Sequence, residues 1–421
     1  ELAPSRLRIG GTEADKVYYD MTGGSAPPPA PYVDTMTAAQ WDGVHAFASA
    51  LDFEVVFALN AGKGPRDPAG AWTADNARTL LAYTRSKSYP VALWELGNEV
   101  NSYPFTISLD FKVEAAQLAK DIGVLRALLD TEMPGAKLSA PSSAYWPTSG
   151  EVIHYNEPLL ATGAGANIDV LTWHYYPMQG VRCPLAVRRA TPDIVFDRST
   201  LDEIDRWAAE VEGIRDKYMP GKPVWLGETG GAQCGGEPGL SDTFADGFWW
   251  LDELGRIARR GERAVVRQTL SGADYGLLDD ATLDPRPDYW TSVLWRRLVG
   301  TRVLDAKSPD ASLVAYAHCA RGGPGGAITI AVVNIDRDHG AAIDLATVAP
   351  SATEADVYAL TGDATSRTVS LGGHALVAGA DGALPPLDPT RITRTSSLVA
   401  RFPPASYGFV VVPSAGAAAC P

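Results

Sequence analysis

WELGNEV, residues 94–100, closes the apolar run VALWEL with an asparagine and then a glutamate. The run is short and rich in β-branched and aromatic residues, so it reads as a buried strand whose end opens into a loop. PVWLGETGG, residues 223–231, repeats the pattern and again ends its apolar run at a glutamate. Two such strands, far apart in the chain, are how a parallel sheet assembles one site from distant segments.

Outward from these two stretches the alternation continues as far as residue 300. Strand-like runs occur at 6–11 (RLRIGG), 53–60 (FEVVFALN), 91–99 (VALWELGNE), 136–144 (AKLSAPSSA), 169–176 (DVLTWHYY), 223–231 and 264–276 (AVVRQTLSGADYG). Helical patterns such as DNARTLLAYTRSK and LDEIDRWAAEVEGIRDKY lie between them. Repeated β-α alternation predicts a (β/α)8 TIM barrel over residues 1–300. The barrel needs an eighth strand, and the expectation is that the first one is absent from this chain. From residue 301 to 421 the pattern becomes all-β, with SLVAYAHC, AITIAVVNID, EADVYAL and SSLVARFPPASYGFVVV separated by Gly, Pro and Asp, which predicts an appended C-terminal β-sandwich.

The chain has 421 residues and a net charge of −14, which argues against a nucleic-acid partner because phosphate binding needs a clustered basic surface. No apolar run approaches the roughly 18–20 residues of a membrane span. The four cysteines, Cys183, Cys234, Cys319 and Cys420, form no CxxC pair. A zinc site is therefore not expected, and two disulfides are, with three connectivities open. Disulfides favour a secreted or periplasmic location. The first residue, Glu1, is compatible with a signal peptide already removed.

Active residues in barrels of this kind sit at the C-terminal ends of strands, which is where Glu99 and Glu228 fall. Two glutamates facing each other across a barrel mouth suit retaining glycoside hydrolysis, one giving a proton to the leaving oxygen while the other attacks the anomeric carbon. Asn98 beside Glu99 is a candidate partner for a sugar 2-hydroxyl. The stretch 174–176, HYY, ends another strand, and a tyrosine such as Tyr176 there would hold a nucleophilic carboxylate ionised by hydrogen bonding, with His174 in support. No metal or organic cofactor is implied, since two carboxylates suffice for this chemistry.

Several motifs in order, WELGNEVNSY, TWHYYP, VWLGETGGAQCGG, LSDTFADGFWWLDELG, RQTLSGADYG and DPRPDYWTSVLWRRLVGTRVL, resemble those of the heparanases and related β-glucuronidases of glycoside hydrolase family 79. RLRIGGTEAD and FPPASYGFVVVPSAGAAAC extend the resemblance over nearly the whole chain. It implies that Glu99 is the general acid/base and Glu228 the nucleophile. It implies that Thr12 and Asn98 contact a glucuronic acid ring, and that Tyr275 with the backbone of Gly235 and Gly236 binds its carboxylate. Cys319 and Cys420 match a family disulfide. Cys183 and Cys234 fall in two loops at the barrel mouth, where a second bridge is expected. The family also begins with a barrel strand that has no counterpart here, so a separate N-terminal chain is a possible partner that would supply the missing strands.

The implied substrate is a glycosaminoglycan or a simple glucuronide. Internal cleavage of heparan sulfate needs cations near the centre, and Lys63, Arg66, Arg182, Arg188 and Arg189 are the candidates. Release of terminal glucuronic acid is the alternative. A non-catalytic carbohydrate-binding protein on the same barrel would require loss of a glutamate, and both are present. GKGPRDPAG, residues 62–70, lacks the GK[ST] order of a phosphate-binding loop.

Overall fold

A computed structural model describes residues 1–24, 27–308 and 310–421. Seven parallel strands, β1 (Ser5–Ile9), β2 (Phe53–Leu59), β3 (Leu93–Leu96), β4 (Leu138–Trp146), β5 (Val170–Tyr175), β6 (Val224–Thr229) and β7 (Val265–Arg267), pair in chain order to form a nearly closed barrel. Among the described residues no strand joins the free edges of β1 and β7. The crossovers carry helices α1 (Ala38–Ala50), α2 (Asp75–Ser86), α3 (Ala115–Glu132), α4 (Arg198–Tyr218) and α5 (Asp246–Arg260), and α6 (Pro287–Leu298) follows β7.

Local chemistry sets these elements. In β2 the five residues from Val55 to Leu59 are all buried, because a parallel strand is covered on both faces and so reads as a continuous apolar run. Helix α1 starts at a capping box in which the Thr37 hydroxyl accepts from the Gln40 N–H and the Gln40 side chain accepts from the Thr37 N–H. Asp197 caps α4 by accepting from Ser199 and Thr200. Gly261, with φ 88°, ends α5 in the left-handed conformation that glycine adopts without strain.

The last barrel strand is shorter than its sequence suggests. It stops at Arg267, because Gly272 (φ 106°) and Ala273 (φ 60°) turn residues 268–276 toward the loop after β6.

An antiparallel sheet follows, from β8 (Val299–Leu304) through β9 (Leu313–Ala320) and β10 (Ile328–Asn334) to β12 (Ser406–Val412) and then β11 (Glu354–Thr361). A two-stranded layer, Ala341–Asp344 with Val399–Phe402, covers one face, and the core between them holds Ile330, Val332, Val410, Leu345 and Phe402. The run SSLVARFPPASYGFVVV is thus two strands rather than one. It breaks at Pro403-Pro404 and crosses from one layer to the other, since proline cannot donate to a ladder.

The opposite face of this sheet packs on the barrel. Phe244, Phe248, Trp249, Trp290 and Leu294, in and around α5 and α6, share one core with Tyr316, Val333, Tyr407 and Phe409. Two glycines of α5 make the approach possible. A Cβ on Gly247 would lie 2.0 Å from the Tyr407 hydroxyl, and one on Gly255 would lie 2.2 Å from the Tyr316 ring. Disulfides join Cys183 to Cys234 and Cys319 to Cys420. Among the described residues no helix is long and apolar enough to cross a membrane.

Candidate active site

Glu99 follows β3 in the left-handed conformation (φ 52°, ψ 47°), which costs a non-glycine residue roughly 1–2 kcal/mol. The strain is held by the Glu99 N–H donating to the Ser142 carbonyl (3.0 Å) and by Ser102, whose N–H and hydroxyl both donate to the Glu99 carbonyl. The turn sends the carboxylate to His174, with Oε1 3.0 Å from the ring Nδ1. Glu228 lies on β6 directly beside His174 on β5, brought into register by an irregularity after Leu226. One ligating atom each from Glu99, His174 and Glu228 lie within 4.8 Å of one another.

The two carboxylates have different surroundings. Glu228 accepts from the Tyr176 hydroxyl at one oxygen (2.8 Å) and from Arg8 Nη1 at the other (2.8 Å). Burial alone would raise its pKa, but the His174 ring, the Arg8 guanidinium and the Tyr176 hydroxyl outweigh burial and hold Glu228 below the ordinary glutamate value. Glu99 meets the His174 ring but, among the described residues, pairs with no arginine or lysine, and it is partly open to solvent. The triad also has the donors for a divalent cation. Arg8 already places a positive charge on Glu228 and Tyr176 holds its other oxygen, so the donor set is poorly matched to a metal.

Arg8 ties the site together and was not among the candidates read from sequence. Its side chain is buried, and it donates Nε to Glu95 (2.7 Å), Nη1 to Glu228 and Nη2 to the Asn98 side-chain oxygen (2.9 Å). Gly10 leaves room for it, since a Cβ there would meet the guanidinium carbon at 2.8 Å. Ser139 completes the cluster by donating to Glu95 (3.1 Å). The signal was present in RLRIGG and VALWEL, each of which carries a charge of opposite sign inside an apolar strand.

Thr12 opens a short 3-10 turn, Thr12–Lys16, and makes no side-chain hydrogen bond among the described residues. The turn presents Asp15 instead. Asp15 is buried and accepts from the N–H of Ala61 (2.8 Å) and of Asn98 (2.9 Å), fixing the residue next to Glu99. Burial pushes Asp15 up to about 6 despite those hydrogen bonds. Its folded pKa exceeds the unfolded one, so the stability it contributes is full below about pH 4 and declines as pH rises through about 6. Asp15→Ala leaves two buried N–H groups unpaired, at about 1–3 kcal/mol each. The stability gap from wild type, measured by denaturant unfolding between pH 4 and 7, is expected to narrow as pH rises. A gap that widens instead refutes this account of Asp15.

Tyr275, Gly235 and Gly236 gather beside the strand that carries Glu228. The Tyr275 ring lies 6.5 Å from that of Tyr176, and the Gly235 amide faces its hydroxyl. Burial, with the charge of Glu228, raises Tyr275 to about 12, so it remains a neutral donor.

The basic candidates divide. Arg66 is buried and pairs with Asp121 (2.8 Å), and Arg188 pairs with Glu203 (2.6 Å), so neither is free for a ligand. Arg182 is half exposed and pairs with Asp274 (2.6 Å) next to Tyr275. Lys63 stands 3.7 Å from Asp110 and over the Phe111 ring, and Arg189 is exposed while donating to the Gly180 and Cys183 carbonyls.

Residues 1–255 match the family model described as glycosyl hydrolase family 79, N-terminal domain. The chain is 36% identical to heparanase of Gallus gallus over 92% of its own length and 73% of the relative's. It is 31% identical to the protein called inactive heparanase-2 of Homo sapiens, over 91% and 66%. Among solved structures, the 4-O-α-L-rhamnosyl-β-D-glucuronidase of Fusarium oxysporum superposes with a TM-score of 0.67 at 18% identity, covering 97% of this chain and 88% of that one, a likeness of fold.

Proposed function

Because this chain belongs to glycosyl hydrolase family 79, we propose that it is a secreted, retaining β-D-glucuronidase that cleaves within glycosaminoglycan chains of the heparan sulfate type. The observation that carries this reading is the pairing of Glu99 and Glu228, with ligating oxygens within 4.8 Å and Glu228 held ionised. Carboxyl groups about 5–5.5 Å apart leave no room for a water between the second carboxylate and the sugar, which favours double displacement. Glu228 attacks the anomeric carbon, and Glu99 protonates the leaving oxygen and then takes a proton from the incoming water. Asn98, oriented by Arg8, meets the sugar 2-hydroxyl. Gly235, Gly236 and Tyr275 receive the uronate carboxylate by charge-assisted hydrogen bonds. One relative carries the name inactive, so the argument for catalysis rests on this geometry and not on kinship alone. Two disulfides support export.

Glu99→Gln is expected to slow cleavage of a natural glycoside by roughly 10²–10⁴-fold, the usual contribution of proton transfer. The first step on an aryl glucuronide with a good leaving group should suffer far less, because such a group needs little protonation. Equal losses on both substrates, compared by pre-steady-state kinetics, would remove Glu99 from the acid role.

One observation favours release of terminal glucuronic acid instead: Arg66 and Arg188 are already paired and cannot meet sulfate groups along a long chain. Incubation with size-defined heparan sulfate of low and high sulfation separates the two. Fragments of intermediate length on gel filtration support internal cleavage, and glucuronic acid as sole product supports the terminal mode.

A further inference from the structure

The loop after β6 has an unusual backbone: Cys234, Gly235 and Gly236 are left-handed in succession, with φ 63°, 88° and 85°. Three such residues in succession bend the loop sharply beside Tyr275, whose hydroxyl the Gly235 amide faces. Glycine adopts this conformation freely, whereas Cys234 does not and must be held.

It is held from two sides. On one side lies the loop after β5. Met178–Gln179 pairs in parallel with Ala232–Gln233, the Gly180 N–H donates to the Gln233 carbonyl (3.2 Å), and Cys183 is bonded to Cys234. Gly180 lies so close that a Cβ on it would be 2.3 Å from the Gly236 carbonyl oxygen. On the other side, the Asp274 N–H donates to the Gly235 carbonyl (2.8 Å), and Arg182 joins Asp274 to the Gly236 carbonyl. Apart from the bridge, the ties to the loop after β5 are this short ladder, in which Met178 and Ala232 share an apolar core, and hydrogen bonds nearer the surface such as that from the Val181 N–H to Glu237 (2.6 Å). Cys183 is buried, but Cys234 is exposed, so the bridge is open to a reductant.

We propose that the Cys183–Cys234 disulfide positions the amides that bind the substrate carboxylate, so that discrimination between an acidic and a neutral sugar depends on this bridge being closed. The inference rests on the glucuronidase reading above and assigns the bridge a role in specificity. Cys183 and Cys234 act through the loop and do not themselves touch the sugar. Opening the bridge takes two electrons and two protons from a dithiol, which closes to its own cyclic disulfide while two thiols form on the protein.

The test compares 4-nitrophenyl β-D-glucuronide with 4-nitrophenyl β-D-glucoside, which share a leaving group and differ in the carboxylate. For the Cys183→Ala/Cys234→Ala variant, KM for the glucuronide is expected to rise about tenfold or more while kcat changes less than about threefold. kcat/KM for the glucoside should hold, so the ratio of the two efficiencies falls. Wild type opened by a mild dithiol, with the reduced pair identified by alkylation and mass measurement, should behave the same way and covers the case of a variant that does not fold. A Cys319→Ala/Cys420→Ala variant should leave the ratio unchanged. If opening the mouth bridge leaves the ratio unchanged, or lowers both efficiencies in parallel, the bridge has only a structural role and the proposal is wrong. If untreated wild type does not prefer the glucuronide at all, the glucuronidase reading itself fails.

Discussion

Glu228→Ala is expected to lower turnover of an aryl β-glucuronide by on the order of 10⁴-fold or more, because it removes the group that makes the covalent bond. Folding should survive. Arg8 keeps its bonds to Glu95 and Asn98, so the buried cation stays paired, and thermal unfolding should remain cooperative. The vacated space invites a small external nucleophile. Azide should restore release of the aryl group and give a glycosyl azide of α configuration, since it attacks from the face Glu228 occupied. Glucuronic acid released at an appreciable fraction of the wild-type rate would remove Glu228 from the nucleophile role. A β-configured azide would place the attacking group on the other face.

Arg8→Met should damage stability and chemistry together. The side chain is nearly fully buried between Glu95 and Glu228, and methionine fills similar volume without the charge. Two carboxylates are then left facing each other with no cation between them, a loss of about 3–5 kcal/mol for a broken buried pair. Protonation relieves part of that, so Glu228 should shift upward from its depressed position. The sign is fixed by the folded state. Glu228 lies below its ordinary value in the wild type, so its contribution to stability is present above the unfolded pKa and is lost as pH falls through the folded one. In the variant the acidic limb of kcat/KM should move to higher pH, and the denaturation midpoint should drop most near neutrality. Arg8→Lys retains charge but cannot reach three acceptors at once, so it should recover stability better than activity. An unmoved acidic limb together with unchanged stability would mean that Glu228 takes its ionisation from elsewhere.

The barrel was legible because parallel strands covered on both faces leave runs such as FEVVFAL and VALWEL that polar surface segments do not imitate. Glu99 and Glu228 were legible because each ends such a run. Arg8 escaped because its meaning depends on Glu95 and Glu228, which lie far along the chain at no regular spacing. A lone arginine near a strand start is ordinarily surface. Arg66 and Arg188 show the reverse failure: basic loop residues resemble anion contacts until burial against Asp121 and Glu203 is known. Asp15 was quoted within RLRIGGTEAD but not singled out, since a turn aspartate reveals nothing of the two N–H groups it serves.

Helix α5, whose two glycines admit the Tyr407 and Tyr316 rings, leads directly out of the loop that ends β6 and directly into β7. The core it shares with the sandwich also takes in Met178, Ala232 and Leu240 from the loops at the mouth. The sandwich therefore serves as the floor on which the loops at the barrel mouth rest. A shortened gene product ending at residue 300 would bare Trp249, Trp290 and their neighbours to water, and the rim around Glu228 would lose its footing before the barrel strands themselves gave way.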